Sequence, residues 1–212
     1  MTGIAPSPAA RHQILDAAEI LFAGQGFDPT TIKKIGAAAQ LNPALLYYYF
    51  GSKEELYKAV LQRIVTSLAD RGIAVIETAA APADAIRALV ATQVEFLLGN
   101  PSMPKLLVRE MIDHEASHAE ATVLKLAAGL FQRLCGVIER GQRDGVFRAD
   151  VEPRYAAVST ISQVIYFMIA RPAIAIFFGL APGGVSEEIA RAFGRHAGDF
   201  AVRALSPVEQ TV

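Results

Sequence analysis

The sequence predicts an all-α fold, and three observations support this prediction. Apolar residues recur at helical spacing in almost every segment of the 212 residues. The chain has no alternating run of β-branched residues and no Asn-Gly hairpin signal. Proline, glycine and capping residues mark the ends of the helical segments. We therefore expect a series of helices joined by turns.

Three short helices and the start of a long one fill the first 60 residues. Each begins at a residue that can cap a helix or at a proline suited to the first turn. The predicted starts are Ser7-Pro8, Thr30 or Thr31, Asn42-Pro43, and a capping box formed by Ser52 and Glu55. The second and third helices, "TIKKIGAAA" and "PALLYYYF", are separated by only about two residues. The fourth helix is predicted to run to about residue 79.

Beyond Pro82 the predicted helices are longer. They cover about residues 83–99, 103–115, 118–143, 153–178 and 185–205. The segments "GNPSMP", "GVFRADVEP" and "GLAPGGVS" mark the breaks. We assign residues 1–60 to a first domain and residues 61–212 to a second, joined by the long fourth helix.

Composition limits the classes of function. Hydrophobic residues make up 52% of the chain, which predicts an internal cavity, a large subunit interface, or both. The net charge of −1 excludes a global attraction to nucleic acid, so any anionic partner must meet a local basic patch. Cys135 is the single cysteine, which excludes an intrachain disulfide and fits a reducing cytoplasm.

Neither a secretion signal nor a membrane span is expected. The N-terminal "MTGIAPSPAARHQ" has no apolar signal core. The most apolar run, residues 156–181, is interrupted by Arg171-Pro172 and diluted by polar residues. A spanning helix needs about 20 apolar residues in a row. We interpret this run as a helix buried in an interface and expect a cytoplasmic protein.

The two closely spaced short helices predict a helix-turn-helix, the arrangement that places its second helix in the DNA major groove. Asn42 can donate and accept hydrogen bonds at the start of that helix, and the small apolar Pro43 and Ala44 can lie against bases. Consecutive helical residues point about 100° apart. At least two side chains of Tyr47-Tyr48-Tyr49 must therefore face outward, where their hydroxyls suit phosphate oxygens.

Two neighbouring residues extend this site. Thr31 and the start of the second helix offer further phosphate donors. Lys53 lies at the N-terminus of the fourth helix, where the helix dipole disfavours a cation, so we interpret it as facing a phosphate. The alternative is that the tyrosines form an aromatic core and Lys53 is solvated. The combination of residues favours the DNA interpretation.

Residues 14–61, "ILDAAEILFAGQGFDPTTIKKIGAAAQLNPALLYYYFGSKEELYKAVL", resemble the DNA-binding domain of tetracycline-repressor (TetR) type regulators. The pattern consists of Gly26-Phe27, Thr30-Thr31-Ile32, Ile35, Tyr47, Phe50, Lys53, Glu55 and Leu56. The resemblance implies that nine residues lie at or near DNA: Thr31, Lys33, Asn42, Pro43, Ala44, Tyr47, Tyr48, Tyr49 and Lys53. Ala44, Leu45 and Tyr49 depart from residues common in the family, so the resemblance leaves the base preference open.

A single copy of this DNA-binding domain, here called a head, would bind DNA weakly, because residues 1–63 hold six Lys and Arg against five acids. Two heads on a homodimer would supply the missing affinity on a near-palindromic, double-stranded operator. The resemblance implies an all-helical body whose last two long helices pair with those of a second subunit. The candidate interface residues are Val158, Ile161, Ile165, Phe193 and Phe200.

The resemblance further implies an effector pocket between helices of the body. Candidate apolar walls are Phe96, Leu107, Met111, Phe131, Leu134, Tyr166 and Phe167, and candidates to orient a polar or acidic group are Arg109, His114 and Arg171. Ordinary core packing is the alternative for each apolar residue, and a salt bridge is the alternative for Arg109. We expect a repressor released by an unidentified, largely apolar small molecule, without a cofactor and without enzymatic activity.

His114-Glu115-Ala116-Ser117-His118 matches the H-E-x-x-H pattern. On a helix this spacing would present two imidazoles and a carboxylate to a zinc ion. A metal-responsive regulator or a zinc metallohydrolase is therefore the alternative function. The following residues contain no H-x-x-G-x-x-H extension that would supply a third ligand. We assign no metal ligand and no catalytic residue, and we expect a solvated, charged helix end here.

Overall fold

The all-α prediction is confirmed. The computed structural model describes residues 7–115, 117, 118 and 121–207, and these residues form ten helices and no strand. The helices are α1 (Pro8–Gln25), α2 (Ile32–Ala38), α3 (Pro43–Phe50), α4 (Lys53–Thr78), α5 (Pro82–Gly99), α6 (Met103–Asp113), α7 (Ala121–Arg143), α8 (Pro153–Ile169), α9 (Arg171–Phe177) and α10 (Glu187–Leu205).

The predicted helix starts are confirmed by their capping contacts. The Ser7 hydroxyl accepts a hydrogen bond from the Ala10 N–H at 3.1 Å, directly before Pro8. The Ser52 hydroxyl accepts from the Glu55 N–H at 3.1 Å. Such contacts satisfy amide groups that have no partner within the first helical turn. The sequence therefore determines these boundaries locally.

The prediction of one helix over residues 153–178 is wrong. α8 ends at Ile169, α9 begins at Arg171, and the two helices are bent by 82°. Pro172 lies in the first turn of α9, where its missing N–H is tolerated, whereas inside a continuous helix it would remove a hydrogen bond and clash with the preceding turn. α8 and α9 reach the length and apolarity of a membrane span only when taken together, and no single described helix does.

The chain divides into two compact units. Unit 1 contains the described residues up to Thr66 together with Pro101–Lys125, and unit 2 contains Ser67–Asn100 and the described residues from Leu126 onward. α4 begins in unit 1 and ends in unit 2. Unit 1 therefore combines the three short helices with α6, a segment about 50 residues later in the chain.

Unit 1 is built around α1, which packs on α2, α3 and α6. Ile14, Ala18 and Phe22 form its fully buried face. The Phe22 ring lies edge-on to the buried Tyr57 ring of α4, with centroids 4.9 Å apart. Edge-to-face pairs of this kind stabilise a protein by more than the buried apolar area alone would give. The aromatic contact fixes α4 against α1.

Unit 2 is organised by the packing of α5 on α10. A Cβ atom at Gly194 would lie 2.6 Å from Cγ2 of Val94, so a glycine is needed for the two helices to approach this closely. Arg191 of α10 forms a bidentate ion pair with Glu95 of α5, with N–O distances of 2.7 and 3.1 Å. Cys135 of α7 lies in the core of this unit, and burial raises the pKa of its thiol. It is a core residue.

Replacement of Gly141 by alanine is expected to destabilise unit 2. A Cβ at Gly141 would lie 2.1 Å from Cδ2 of the buried Phe147, so the aromatic ring would have to move within a filled core. Overpacking of this kind costs about 1–3 kcal/mol. Thermal unfolding followed by circular dichroism measures the loss.

Gly136→Ala is the matched control, because Gly136 lies in the same helix and a Cβ there would meet no neighbouring atom within 4 Å. Alanine is favoured over glycine in a helix by up to about 1 kcal/mol. We expect its melting temperature to equal or exceed that of the parent protein. Equal melting temperatures for the two variants would contradict the packing argument.

Candidate functional site

The turn between α2 and α3 brings the two helices into close contact. The Leu41 N–H donates to the Gly36 carbonyl at 2.9 Å, which folds the chain back against α2. A Cβ at Gly36 would lie 3.0 Å from the Leu41 carbonyl oxygen and 3.2 Å from Cγ of Pro43. The start of α3 therefore rests on a position of α2 that has no side chain. This contact produces the compact helix-turn-helix that the sequence predicts.

α3 has one buried face and one exposed face. Leu46 and Phe50 are buried and anchor the helix in unit 1. Tyr47 and Tyr48 are 57% and 70% exposed, so two of the three consecutive tyrosines face outward, as predicted. Ala44 is also exposed, one turn before Tyr48. The exposed face combines phenol hydroxyls with a small apolar residue.

Asn42 and Thr31 cap the two helices and keep hydrogen-bond donors free for other partners. Oδ1 of Asn42 accepts from the Ala44 N–H at 2.9 Å, so the side-chain amide donors are not used in the cap. The Thr31 hydroxyl accepts from the Lys34 N–H at 3.2 Å and retains its own proton. Thr31 and Lys33 are exposed, and Pro43 is half-buried. These groups can reach a phosphate or a base edge without uncapping a helix.

Tyr49 makes an internal contact. Its hydroxyl donates to the Ser7 carbonyl at 2.9 Å and accepts from the Ser7 N–H. The phenol thus joins the end of α3 to the start of α1. In this conformation its hydroxyl is occupied within the chain, whereas the hydroxyls of Tyr47 and Tyr48 lie at the surface.

Lys53 also makes an internal contact, which explains a cation at a helix N-terminus without a phosphate. Its ammonium donates to the Phe27 carbonyl at 3.0 Å and lies 4.1 Å from the Phe27 ring centroid. A carbonyl and an aromatic face both attract a cation and offset the unfavourable helix dipole. Lys53 therefore joins α4 to the loop between α1 and α2.

The candidate effector residues of unit 1 differ in exposure and make separate contacts. Arg109 donates from Nε to the Ala23 carbonyl and from Nη2 to the Gly24 carbonyl, both at 3.3 Å. Its guanidinium lies 3.8 Å from the Asp113 carboxylate, so the salt bridge considered as the alternative to an effector role is the longest of these contacts. Met111 is 69% exposed, and Leu107 is half-buried. Arg109 thus satisfies carbonyls at the end of α1.

The candidate effector residues of unit 2 lie in its core or on its surface. Phe96, Leu134 and Phe167 are buried, and the Phe167 ring stacks on Phe193 with centroids 4.0 Å apart. Tyr166 is exposed, Phe131 is half-buried, and Arg171 donates to the Val185 carbonyl. An open groove of 460 Å³ is lined by Asp84, Arg87, Ala88, Ala91, Gly194, Arg195, Gly198 and Asp199. None of the predicted residues lines this groove.

The described residues of the H-E-x-x-H match, His114, Glu115, Ser117 and His118, lie outside the helices, which removes the zinc-peptidase geometry. α6 ends at Asp113, His114 is its C-cap, and Glu115 is exposed with φ of 50°. The prediction of a solvated helix end is also wrong for the two histidines. Their rings are 4.6 Å apart and both pack against Phe27.

Glu110 is the residue of this region that the sequence interpretation missed. It is only 3% exposed, and it accepts from the His118 N–H at 2.8 Å. Burial raises the pKa of the neighbouring Tyr57 hydroxyl above its usual range, and the charge of the Glu110 carboxylate raises it further. Tyr57 therefore stays protonated beside the carboxylate. The sequence signal that could have identified Glu110 is its spacing from His114. Residues four positions apart lie one helical turn apart on the same face of a helix.

Two family profiles match the chain. Residues 14–60 match the family described as "Bacterial regulatory proteins, tetR family". Residues 82–199 match "Tetracyclin repressor-like, C-terminal domain". The first match contains the helix-turn-helix, and the second covers more than half of the chain.

Among curated proteins, the chain is similar to the HTH-type transcriptional repressor NicS of Pseudomonas putida, with 30% identity over 183 residues that cover 84% of this chain and 86% of the relative. It is also 29% identical to the HTH-type transcriptional repressor KstR2 of Rhodococcus jostii over 147 residues, covering 69% of this chain and 72% of the relative. Both relatives are named as transcriptional repressors.

A solved structure of AibR in complex with isovaleryl coenzyme A and operator DNA has the same fold. It superimposes with a TM-score of 0.70 at 20% identity, covering 93% of this chain and 98% of that chain. The helix-turn-helix geometry, the two profile matches and the similarity to NicS lead to one conclusion. This protein belongs to the TetR family of transcriptional regulators.

Proposed function

We propose that this chain is a dimeric repressor that binds a near-palindromic DNA operator and is released by a small-molecule effector. The observation that carries the proposal is the exposed face of α3, where Tyr47 and Tyr48 point outward and the amide donors of Asn42 are not used in its cap. Named repressors among the relatives support the sign of regulation.

The proposed DNA contacts follow from exposure and from free donors. Asn42 and Ala44, which are exposed at the start of α3, would meet base edges, and the half-buried Pro43 lies between them in sequence. The hydroxyls of Thr31, Tyr47 and Tyr48 would donate hydrogen bonds to phosphates. Lys33 would form an ion pair with a phosphate. We assign Tyr49 and Lys53 to positioning α3 and α4, because their polar atoms are bonded within unit 1.

The dimer is supported by the charge of the head and by the surface of unit 2. A head with nearly balanced charge needs a second head for useful affinity. α8 exposes Val158 and Tyr166, and α10 exposes Phe200. We propose that these two helices pair with α8 and α10 of a second copy as a four-helix bundle.

The effector would act through α4, which begins beside α3 and continues into unit 2. In one conformation of the dimer, the distance between the two heads would not match the spacing of the operator half-sites. A compound that binds the second domain preferentially in this conformation would lower operator affinity. AibR was solved with isovaleryl coenzyme A, which makes short acyl coenzyme A thioesters a reasonable first set of probes. We expect a thioester that binds the protein to weaken operator binding. A thioester that tightens operator binding would contradict the proposal that the effector releases the repressor.

Val158→Asp is expected to abolish both dimerisation and operator binding, because it places a carboxylate at the centre of the proposed interface. Analytical ultracentrifugation gives the assembly state, and fluorescence anisotropy with a duplex from upstream of the gene gives the DNA affinity. Val146→Asp is the control, since Val146 is an equally apolar exposed residue in the turn after α7. A dimeric Val158→Asp variant with normal affinity would refute the proposed interface.

A further inference from the structure

Glu110, His114 and His118, here named the Glu110 cluster, bring three metal-ligating side chains together in unit 1. One ligand atom from each residue lies within 4.8 Å of the others. Glu110 and His114 lie one turn apart at the end of α6, and His118 returns to them from the following turn. The two histidines are those of the H-E-x-x-H match, but Glu110 takes the place of the exposed Glu115.

The cluster lies in an enclosed aromatic environment. The His118 ring centroid is 4.9 Å from that of Phe27 and 5.2 Å from that of Tyr57. The His114 ring is 5.9 Å from Phe27 and 6.3 Å from Tyr57. The wall therefore consists of α1–α2 loop and α4 residues of unit 1. It limits access of water to the Glu110 carboxylate.

A buried carboxylate needs a compensating positive group. The Arg109 guanidinium, next to it in sequence, is directed to the carbonyls of Ala23 and Gly24. Among the described residues, the side chain in contact with the Glu110 carboxylate is the His118 imidazole, at 3.2 Å from Oε2 to Nδ1. A divalent cation held by the carboxylate and both imidazoles would supply the positive charge directly.

The donor set selects the type of metal. Two imidazoles and one carboxylate form a three-ligand set that suits zinc and similar transition metals and leaves a fourth position open. Bonds of about 2.0–2.1 Å place tetrahedral ligand atoms about 3.3 Å apart. The ligand atoms lie up to 4.8 Å apart, so the widest separation must shorten by up to about 1.5 Å. His114 and His118 lie beyond the last helical residue of α6, so their approach to Glu110 does not require the helix to bend.

We propose that Glu110, His114 and His118 bind one divalent transition-metal ion of the zinc type per chain. The ion ties the turn after α6 to the end of α6 with both imidazoles packed against Phe27 and Tyr57, and so stabilises unit 1, which carries α2 and α3. Tyr57 is a positioning residue that lies against the Glu110 carboxylate. This site goes beyond the proposed repressor function and does not depend on it.

The test titrates the untagged, full-length, chelator-treated protein with Co²⁺ in the absence of DNA. Visible d–d absorption reports coordination by nitrogen and oxygen ligands, and added Zn²⁺ should remove it by competition. We expect one Co²⁺ per chain, a higher melting temperature with metal, and at least about 100-fold weaker binding in His114→Ala, His118→Ala and Glu110→Gln. His196→Ala, an exposed histidine of α10, should bind like the parent protein.

His114→Ala keeps the test decisive if Glu110→Gln fails to fold, because the side-chain hydrogen bonds of Glu110 among the described residues are with His118. The proposal is overturned if the parent protein shows no Co²⁺ absorption or if the absorption survives in folded His114→Ala and His118→Ala. It is also overturned if His196→Ala removes the absorption. Since no DNA is present, loss of the repressor function would not alter any of these results.

Discussion

Replacement of both Tyr47 and Tyr48 by phenylalanine is expected to weaken operator binding at least about 100-fold while leaving the protein folded. Both side chains are exposed on α3, so removal of their hydroxyls disturbs no core contact. A hydrogen bond to a charged group is worth about 1.5–3 kcal/mol. One lost phosphate contact in each of two heads therefore costs at least about 3 kcal/mol, which corresponds to about 100-fold.

Tyr49→Phe is the matched control, because the Tyr49 hydroxyl is bonded to the Ser7 backbone rather than exposed. This variant should lose some thermal stability, since a neutral hydrogen bond contributes about 1 kcal/mol to folding. Its operator affinity should stay within about threefold of the parental value, because the lost hydroxyl does not face the DNA in the proposed complex. The salt dependence of binding provides a second readout. Tyrosine hydroxyls release no counterions, so the double variant should keep the parental slope, whereas Lys33→Ala should flatten it. Parental affinity in the double variant would contradict the proposed contacts.

Gly36→Val is expected to eliminate operator binding by displacing α3. Its Cβ would lie 3.0 Å from the Leu41 carbonyl oxygen, a backbone atom held in the turn by its neighbours. Valine also carries two methyl groups on its Cβ. They would add contacts with Pro43, whose Cγ atom already lies 3.2 Å from the Cβ position. Overpacking costs about 1–3 kcal/mol, and relief of the clash would move α3 from its position against α2. Thermal unfolding and anisotropy together measure the two effects.

Gly24→Ala is the control for this variant, since a Cβ at Gly24 in α1 would meet no neighbouring atom within 4 Å. It should bind operator normally and unfold at an equal or higher temperature. Full operator affinity in Gly36→Val would show that the close turn is unnecessary. Loss of affinity in Gly24→Ala would show that binding responds to any change in the head.

The helix boundaries were predictable because they depend on local chemistry. Asn42 and Ser52 cap their helices through residues only two and three positions away. The break before α9 was missed although its cause, Pro172, is visible in the sequence. Apolar spacing continues across residue 170 and indicated one helix, whereas the missing N–H and the bulk of the proline ring decided the outcome.

The site was less predictable because it depends on contacts distant in sequence. Periodicity required two outward tyrosines, but it could not show that Tyr49 is the inward one, since that depends on Ser7, 42 residues away. The same limit applies to Glu110, whose burial depends on Tyr57 and His118. Apolar spacing also cannot distinguish a cavity wall from a core residue, so Phe96 and Leu134 were candidates for a pocket and are buried in the core.

The central claim is that the exposed face of α3 reads DNA as part of a symmetric pair. Selection of binding sequences from a randomised duplex library by the full-length protein tests it directly. The expected result is an enriched, near-palindromic sequence with half-site centres about one or two helical turns apart. Its binding should disappear in the Tyr47→Phe/Tyr48→Phe variant. Enrichment of no sequence, or of a sequence without symmetry that the double variant binds equally well, would contradict the claim.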